Sequence, residues 1–247
     1  MIINVLTLFP EMFDPVIKSS ILGKAAEKGV LEIRIINIRD FTEDKHNKAD
    51  DTPFGGGAGM VLLAQPVFDA LKAKKACGKR LIHLSPRGNI IDKMYLEQLA
   101  LEEEIFLLCG HYEGVDQRIL EYWQMEEVSI GDYILTGGEL PAMVLIDSIS
   151  RFVPDVLGSP ESVEDESIYS GLLEYPQYTK PREYFGLNVP EVLFNGNHKL
   201  IELWKLEESL RLTKERRPDL FEKFLLEKTS SLSKEEKKVL EKIQNEH

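Results

Sequence analysis

Three short glycine-bearing segments each follow an apolar run in this 247-residue chain. They are Leu84-Ser-Pro-Arg-Gly88 after RLIH, Gly110-His-Tyr-Glu-Gly114 after IFLLC, and Ile130-Gly-Asp-Tyr-Ile-Leu-Thr-Gly-Gly-Glu139 after EEVS. Glycine lets backbone amides and carbonyls approach a ligand closely. One such segment would be read as a tight turn and nothing more. Three at the ends of strands would meet in one pocket, where binding groups gather. No GxGxxG opens a helix and no GxxxxGK[ST] is present, so the usual dinucleotide and nucleoside-triphosphate sites have little support.

The three segments hold few Lys or Arg and offer Glu113, Asp116, Asp132 and Glu139 instead. An acidic pocket with backbone donors and acceptors suits a cationic ligand without phosphate. S-adenosylmethionine, with its sulfonium and ammonium, has that chemistry. A fourth cluster, Asp50-Asp-Thr-Pro-Phe-Gly-Gly-Gly-Ala-Gly-Met60, is too rich in glycine for a stable helix or strand. Its Phe54 and Met60 point to a segment packed close to another backbone or to a substrate. His46, His83, His111, His198 and His247, with Cys77 and Cys109, show no zinc-ligand spacing.

The elements that must carry these segments alternate. Apolar, β-rich runs cover 2–9, 31–38, 80–85, 105–110 and 127–131, and helical patterns cover about 14–27, 66–75, 92–104, 116–123 and 139–152. Such alternation predicts an α/β domain with a mainly parallel sheet. Ligands of such sheets sit beyond the carboxyl ends of the strands. Residues 154–190 lose any clear period and read as a linker carrying a site, and helical patterns return afterwards, the last opened by a Ser233–Glu236 capping box. The expected organisation is therefore an α/β domain (1–153), a linker (154–190) and a small all-helical domain (191–247).

Charge divides along the same line: net −13 in residues 1–198 and +1 in 199–247, for a total of −12. A general nucleic-acid coat would need the opposite sign. Within the tail, Lys214, Arg216 and Arg217 form a basic knot. The N-terminus lacks a basic leader region, apolar runs are too short to span a bilayer, and two cysteines make no disulfide framework. A cytoplasmic protein without membrane attachment is expected.

In order along nearly the whole chain, LFPEMF, DDTPFGGGAGM, LSPRG, GHYEGVDQR, SIGDYILTGGELPAM, GLLEYPQYTKP, VPEVLFNGNH and WKLEESLRLTKERRP resemble the motifs of the bacterial tRNA (guanine-N1)-methyltransferase family. The resemblance implies a SPOUT-type domain with a C-terminal trefoil knot, which the general rule of un-knotted chains would have missed. It implies a homodimer and methylation of guanine N1 at tRNA position 37, beside the anticodon. It places the methyl donor, S-adenosylmethionine, at Leu84, Ser85, Pro86, Gly110, Tyr112 and Glu113. The third loop would add Ile130, Gly131, Tyr133, Ile134, Leu135, Gly137, Gly138 and Pro141, with Asp132 among them as an acid.

Guanine N1 is protonated at neutral pH, so the reaction needs a base to remove that proton and a cation for the charge spreading to O6. Arg151, in Ser150-Arg-Phe152, matches the family's arginine; its bland alternative is a helix-end cation. The family's Asp-Ser-Phe corresponds here to Glu164-Asp-Glu-Ser-Ile168. Position before the serine favours Glu166 as base, and chemical identity favours Asp165. Contacts to the anticodon arm are implied for His46, Asp50, Gly55, Gly56 and Gly57, and for Lys180, Arg182, His198 and Arg216, with Lys199, Arg211, Lys214 and Arg217 as further phosphate partners. Tyr169, Tyr175 and Tyr178 could wall a flipped guanine. The family also implies magnesium, whose ligands spacing does not assign. The rival reading is a non-catalytic RNA-binding protein that kept the fold.

Overall fold

Strand β1 (Ile2–Thr7) is buried from Ile3 onward and pairs in parallel with strands on both sides. Such a strand must be apolar on both faces, which explains its nearly continuous hydrophobic run. In the computed structural model, which describes residues 1–157, 168 and 170–246, the chain forms two compact units, 1–158 and 159–247.

In the first unit, helices α1 (Asp14–Ile17) and α2 (Ser20–Glu27) precede β2 (Glu32–Asn37). A two-residue ladder, β3 (Asp50–Asp51) with β4 (Val61–Leu62), brackets the glycine cluster. Then come α3 (Ala64–Ala73), β5 (Arg80–Ile90), α4 (Lys93–Ala100), β6 (Glu104–Cys109), α5 (Gln117–Trp123), β7 (Glu126–Ser129) and α6 (Glu139–Ser150). The five long strands form one sheet in the order β2-β1-β6-β5-β7, and every pairing is parallel.

Alternate residues of the strands feed two apolar clusters. Ile3, Val5, Ile105 and Leu107 pack with Leu22 of α2, Leu99 of α4 and Leu145, Ile146 and Ile149 of α6. Leu6, Phe106 and Leu108 pack with Val67 and Leu71 of α3 and Ile119 of α5. Each of these fully buried aliphatic side chains contributes ~1.5–3 kcal/mol. The result is a helix–sheet–helix sandwich whose strands all end toward one edge.

Two local expectations are corrected. The helix over 14–27 is broken at Ser19 and Ser20, where Ser20 has φ +53. A Cβ on Gly23 would lie 2.7 Å from the Lys18 carbonyl oxygen, so the tight break depends on a missing side chain there. Leu84–Gly88 is an irregularity inside β5 rather than a terminal turn. Leu84 and Asn89 both pair with Val128, and the residues between them bulge out.

In the second unit, hairpin strands β8 (Glu183–Tyr184) and β9 (Leu187–Asn188) precede helices α7 (His198–Arg216), α8 (Pro218–Glu227) and α9 (Lys234–Asn245). Leu210, Phe221, Phe224, Leu240 and Ile243 form its core, joined by Leu172. Leu172 had been expected in a linker; a lone core residue without periodic neighbours leaves no pattern to read. The Ser233–Glu236 capping box forms. Among the described residues, no helix is long and apolar enough to cross a membrane.

Candidate active site

Beyond the carboxyl ends of β6 and β7, and against the bulge within β5, lies a cavity of about 300 Å³, at the small end of ligand clefts. Its walls come from all three glycine segments. Leu84, Ser85, Pro86, Gly110, Tyr112, Glu113, Ile130, Gly131, Tyr133, Ile134, Leu135, Gly137, Gly138 and Pro141 line it, as does Arg87. Asp132 does not.

Close backbone packing brings the loops together. The Gly138 amide donates to the Gly110 carbonyl at 2.7 Å, and His111 forms an isolated bridge with Gly137. A Cβ on Gly138 would sit 2.7 Å from Cys109 Cα, and one on Gly110 would sit 2.8 Å from His83 Cε1. Those two glycines are sterically required; neither has a left-handed φ. Glu139, the first residue of α6, is 2% exposed and accepts a hydrogen bond from Thr7 Oγ1 at 2.8 Å.

The acidic ring expected from sequence is largely dismantled. Of its four carboxylates only Glu113 lines the cavity. Asp116 caps α5 and pairs with Arg118 at 2.6 Å, and the Arg118 guanidinium holds its carboxyl below the usual range. Arg87 lines the cavity but is tied to Glu127 at 2.7 Å. The Tyr112 hydroxyl is pushed up by burial and by the Asp50 carboxylate beside it. Burial lowers the pKa of His83, whose Nδ1 lies 3.3 Å from the Leu108 carbonyl oxygen.

His83, Arg87, His111, Gln117, Ser129 and Thr136 also line the cavity and were not singled out from sequence. Arg87, His111 and Thr136 lie inside the glycine segments and His83 and Ser129 directly beside them, so reading those segments with their flanking residues finds all five. Gln117 carries no such signal.

The fourth glycine cluster is laced to this site. Glu113 N donates to the Met60 carbonyl and Leu62 N to the Gly114 carbonyl, both at 3.0 Å. A Cβ on Gly59 would meet Glu113 Oε1 at 2.6 Å. The expected close backbone approach thus occurs at Gly59 and Met60. Gly55, Gly56 and Gly57 instead have φ of +88, +77 and +127 with open space around them, and Phe54 is fully exposed.

Arg151 is the half-buried C-cap of α6. Asp165, Glu166 and Tyr169 lie outside the described residues. In the first unit, His46 is exposed on a turn held by Asp44, and Asp50 is half-buried at the β3–β4 ladder. In the second, Arg182 stacks on Phe194 at 4.3 Å, Lys180 is exposed, and His198 and Arg216 are the exposed ends of α7. Tyr175 and Tyr178 both flank Trp204, with ring centroids 6.3 Å away.

Four further cations expected to meet phosphate have partners within the unit. Lys199 pairs with Glu235 at 2.8 Å, Arg211 with Glu207 at 2.9 Å and Arg217 with Asp219 at 2.6 Å. Lys214 donates to the Ile243 carbonyl at the end of α9 at 2.6 Å. Among the described residues, no group of three His, Cys, Asp or Glu side chains could hold a metal ion.

A parallel α/β unit with a glycine-walled cavity at its strand ends defines a protein built to bind a small ligand beside exposed loops. The chain belongs to the family described as tRNA (Guanine-1)-methyltransferase TrmD, whose model matches residues 1–223. It is similar to the tRNA (guanine-N(1)-)-methyltransferase of Clostridium perfringens strain SM101, 56% identical over 92% of this chain and 95% of that protein. That of Clostridioides difficile is 53% identical over 89% and 97%, and that of Desulforamulus reducens 51% over 98% and 95%.

Proposed function

We propose that this chain is a cytoplasmic enzyme that transfers a methyl group from S-adenosylmethionine to N1 of guanine at tRNA position 37. The observation that carries the proposal is the cavity walled jointly by loops 84–88, 110–114 and 130–138 in a chain matched to the family over residues 1–223. The residues present fit the donor. Leu84, Pro86, Ile130 and Leu135 offer apolar walls, the glycines expose backbone groups, and the one lining arginine, Arg87, is already paired. S-adenosylmethionine, when bound, supplies an electrophilic methyl carbon on a sulfonium.

The protein's part is to make N1 nucleophilic and to hold it in line. A carboxylate, Asp165 or Glu166, takes the N1 proton as N1 bonds to the methyl carbon and the methyl–sulfur bond breaks toward sulfur. The guanidinium of Arg151 stabilises the negative charge on O6. Among the described residues, no converging set of three His, Cys, Asp or Glu side chains fits the magnesium that the family resemblance implies.

We assign the donor-binding fold to 1–153, with loops 110–114 and 130–138 threaded as the trefoil knot of the SPOUT class, a linker to 154–190 and a helical tRNA-binding domain to 191–247. The Gly138–Gly110 hydrogen bond and the His111–Gly137 bridge support that threading. The unpartnered apolar side chains of Leu140 and Val144 on α6, with Ile134 before it, support a homodimer. His46, Asp50, Gly55, Gly56, Gly57, Lys180, Arg182, His198 and Arg216 form the proposed tRNA contacts. With so few cations among these contacts, tRNA affinity should be modest and salt-sensitive. The test is incubation with labelled donor and tRNA followed by nucleoside analysis. 1-methylguanosine is expected; label in any other nucleoside, or none, contradicts the reading.

A further inference from the structure

Hairpin β8–β9 of the second unit closes through Phe185 and Gly186, between the paired residues Tyr184 and Leu187. Both turn residues have a left-handed backbone, with φ of +52 and +79. That is the pattern of a type I′ turn, whose usual pair is Asn-Gly. A bulky residue at the first of these positions is an outlier with a steric cost. Burial does not offset that cost, because Phe185 is 89% exposed. Its ring stands edge-on to that of Tyr184, with centroids 4.6 Å apart, and Tyr184 and Leu187 are themselves exposed. The turn thus holds a strained aromatic tip in solvent, where the demands of folding alone would place asparagine.

Charge around the tip points to what covers it. From Lys180 to Pro190 the chain carries Lys180 and Arg182, both exposed, against the single acid Glu183. That local excess of cations stands out in a chain of net charge −12. Arg182 sits at the root of the hairpin, its carbonyl accepting from Val189 N at 2.9 Å, and its guanidinium lies over the Phe194 ring. Exposed rings beside cations form the combination that binds unpaired nucleotides, the rings stacking on base faces and the cations meeting phosphates.

We propose that the Tyr184–Phe185 tip is an RNA-binding element that stacks on an unpaired base of the substrate tRNA. The inference rests on the proposed tRNA substrate and adds to it a contact through base faces, which phosphate-binding cations do not supply. Phe185 keeps its left-handed turn because the contact needs a ring at the outermost point of the hairpin.

The experiment titrates the full chain with a tRNA transcript and with a fully paired RNA duplex, comparing wild type with Phe185→Asn and Phe185→Trp. Asparagine suits the turn, so Phe185→Asn should melt no lower than wild type. The expected result is about tenfold weaker binding of tRNA by Phe185→Asn, with duplex affinity changed by less than about twofold, and wild-type affinity in Phe185→Trp. Unchanged tRNA affinity in Phe185→Asn, or equal weakening for tRNA and duplex, overturns the inference. So does a variant that instead loses self-association in sedimentation, or binding to phosphatidylserine vesicles, which would assign the tip to a second copy or to a lipid surface. Where wild type forms 1-methylguanosine in tRNA, these results leave the proposed function standing. Absence of 1-methylguanosine with wild type overturns the proposed function and the inference with it.

Discussion

The amide of Gly138 donates to the carbonyl of Gly110 at 2.7 Å, joining the entry of α6 to the exit of β6. These residues are far apart in sequence, and their contact closes the cavity between the second and third glycine segments.

That contact leaves no room for a methyl group, since a Cβ on Gly138 would press on Cys109 Cα and, at 2.8 Å, on Gly110 N. Both obstacles are backbone. Gly138→Ala should therefore destabilise the first unit by ~1–3 kcal/mol and weaken donor binding at least about tenfold, as misplaced binding groups do. Thermal melting and calorimetry check the two effects; unchanged donor affinity would remove the loop contact from the site's construction.

His83 makes the first unit sensitive to mild acid. Burial depresses its folded pKa, so the unfolded chain takes up a proton as pH falls through about 6.5 while the folded chain resists. Stability attributable to His83 is complete above that range and declines below it. Denaturant titrations at pH 7.5 and 5.5 should show a loss that His83→Gln abolishes. An identical loss in the variant would assign the pH dependence elsewhere.

Much of this site was legible in sequence because glycine at a strand end signals close backbone approach. Gly110, Gly137 and Gly138 were found in that way, and the Ser233 capping box followed from a local four-residue rule. Thr7 bonding to Glu139 across 132 positions follows from no period or spacing. The sequence therefore places Glu139 among the lining acids, whereas in the fold its carboxyl lies behind the wall. Arg211 and Lys214 looked like phosphate ligands because composition shows charge without its partners; in the fold they hold α7 to α9.

Arg151→Ala should lower the methylation rate by ~10²–10³, the usual cost of losing one donor to a developing negative charge, while tRNA affinity changes far less. Single-turnover rates and filter binding separate the two. An unchanged rate would leave Arg151 as the C-cap of α6 alone.

Changing Asp165 and Glu166 together to their amides should abolish turnover while donor binding persists. The two single variants then assign the base, the inactive one identifying it. Full activity in the double variant would remove the carboxylate base from the mechanism.

The most direct test of the central claim uses two tRNA transcripts that differ only at position 37. Given labelled S-adenosylmethionine, the transcript with guanine there should gain label, recovered as 1-methylguanosine, and the transcript with adenine should gain almost none. Equal labelling of both, or of neither, would contradict it.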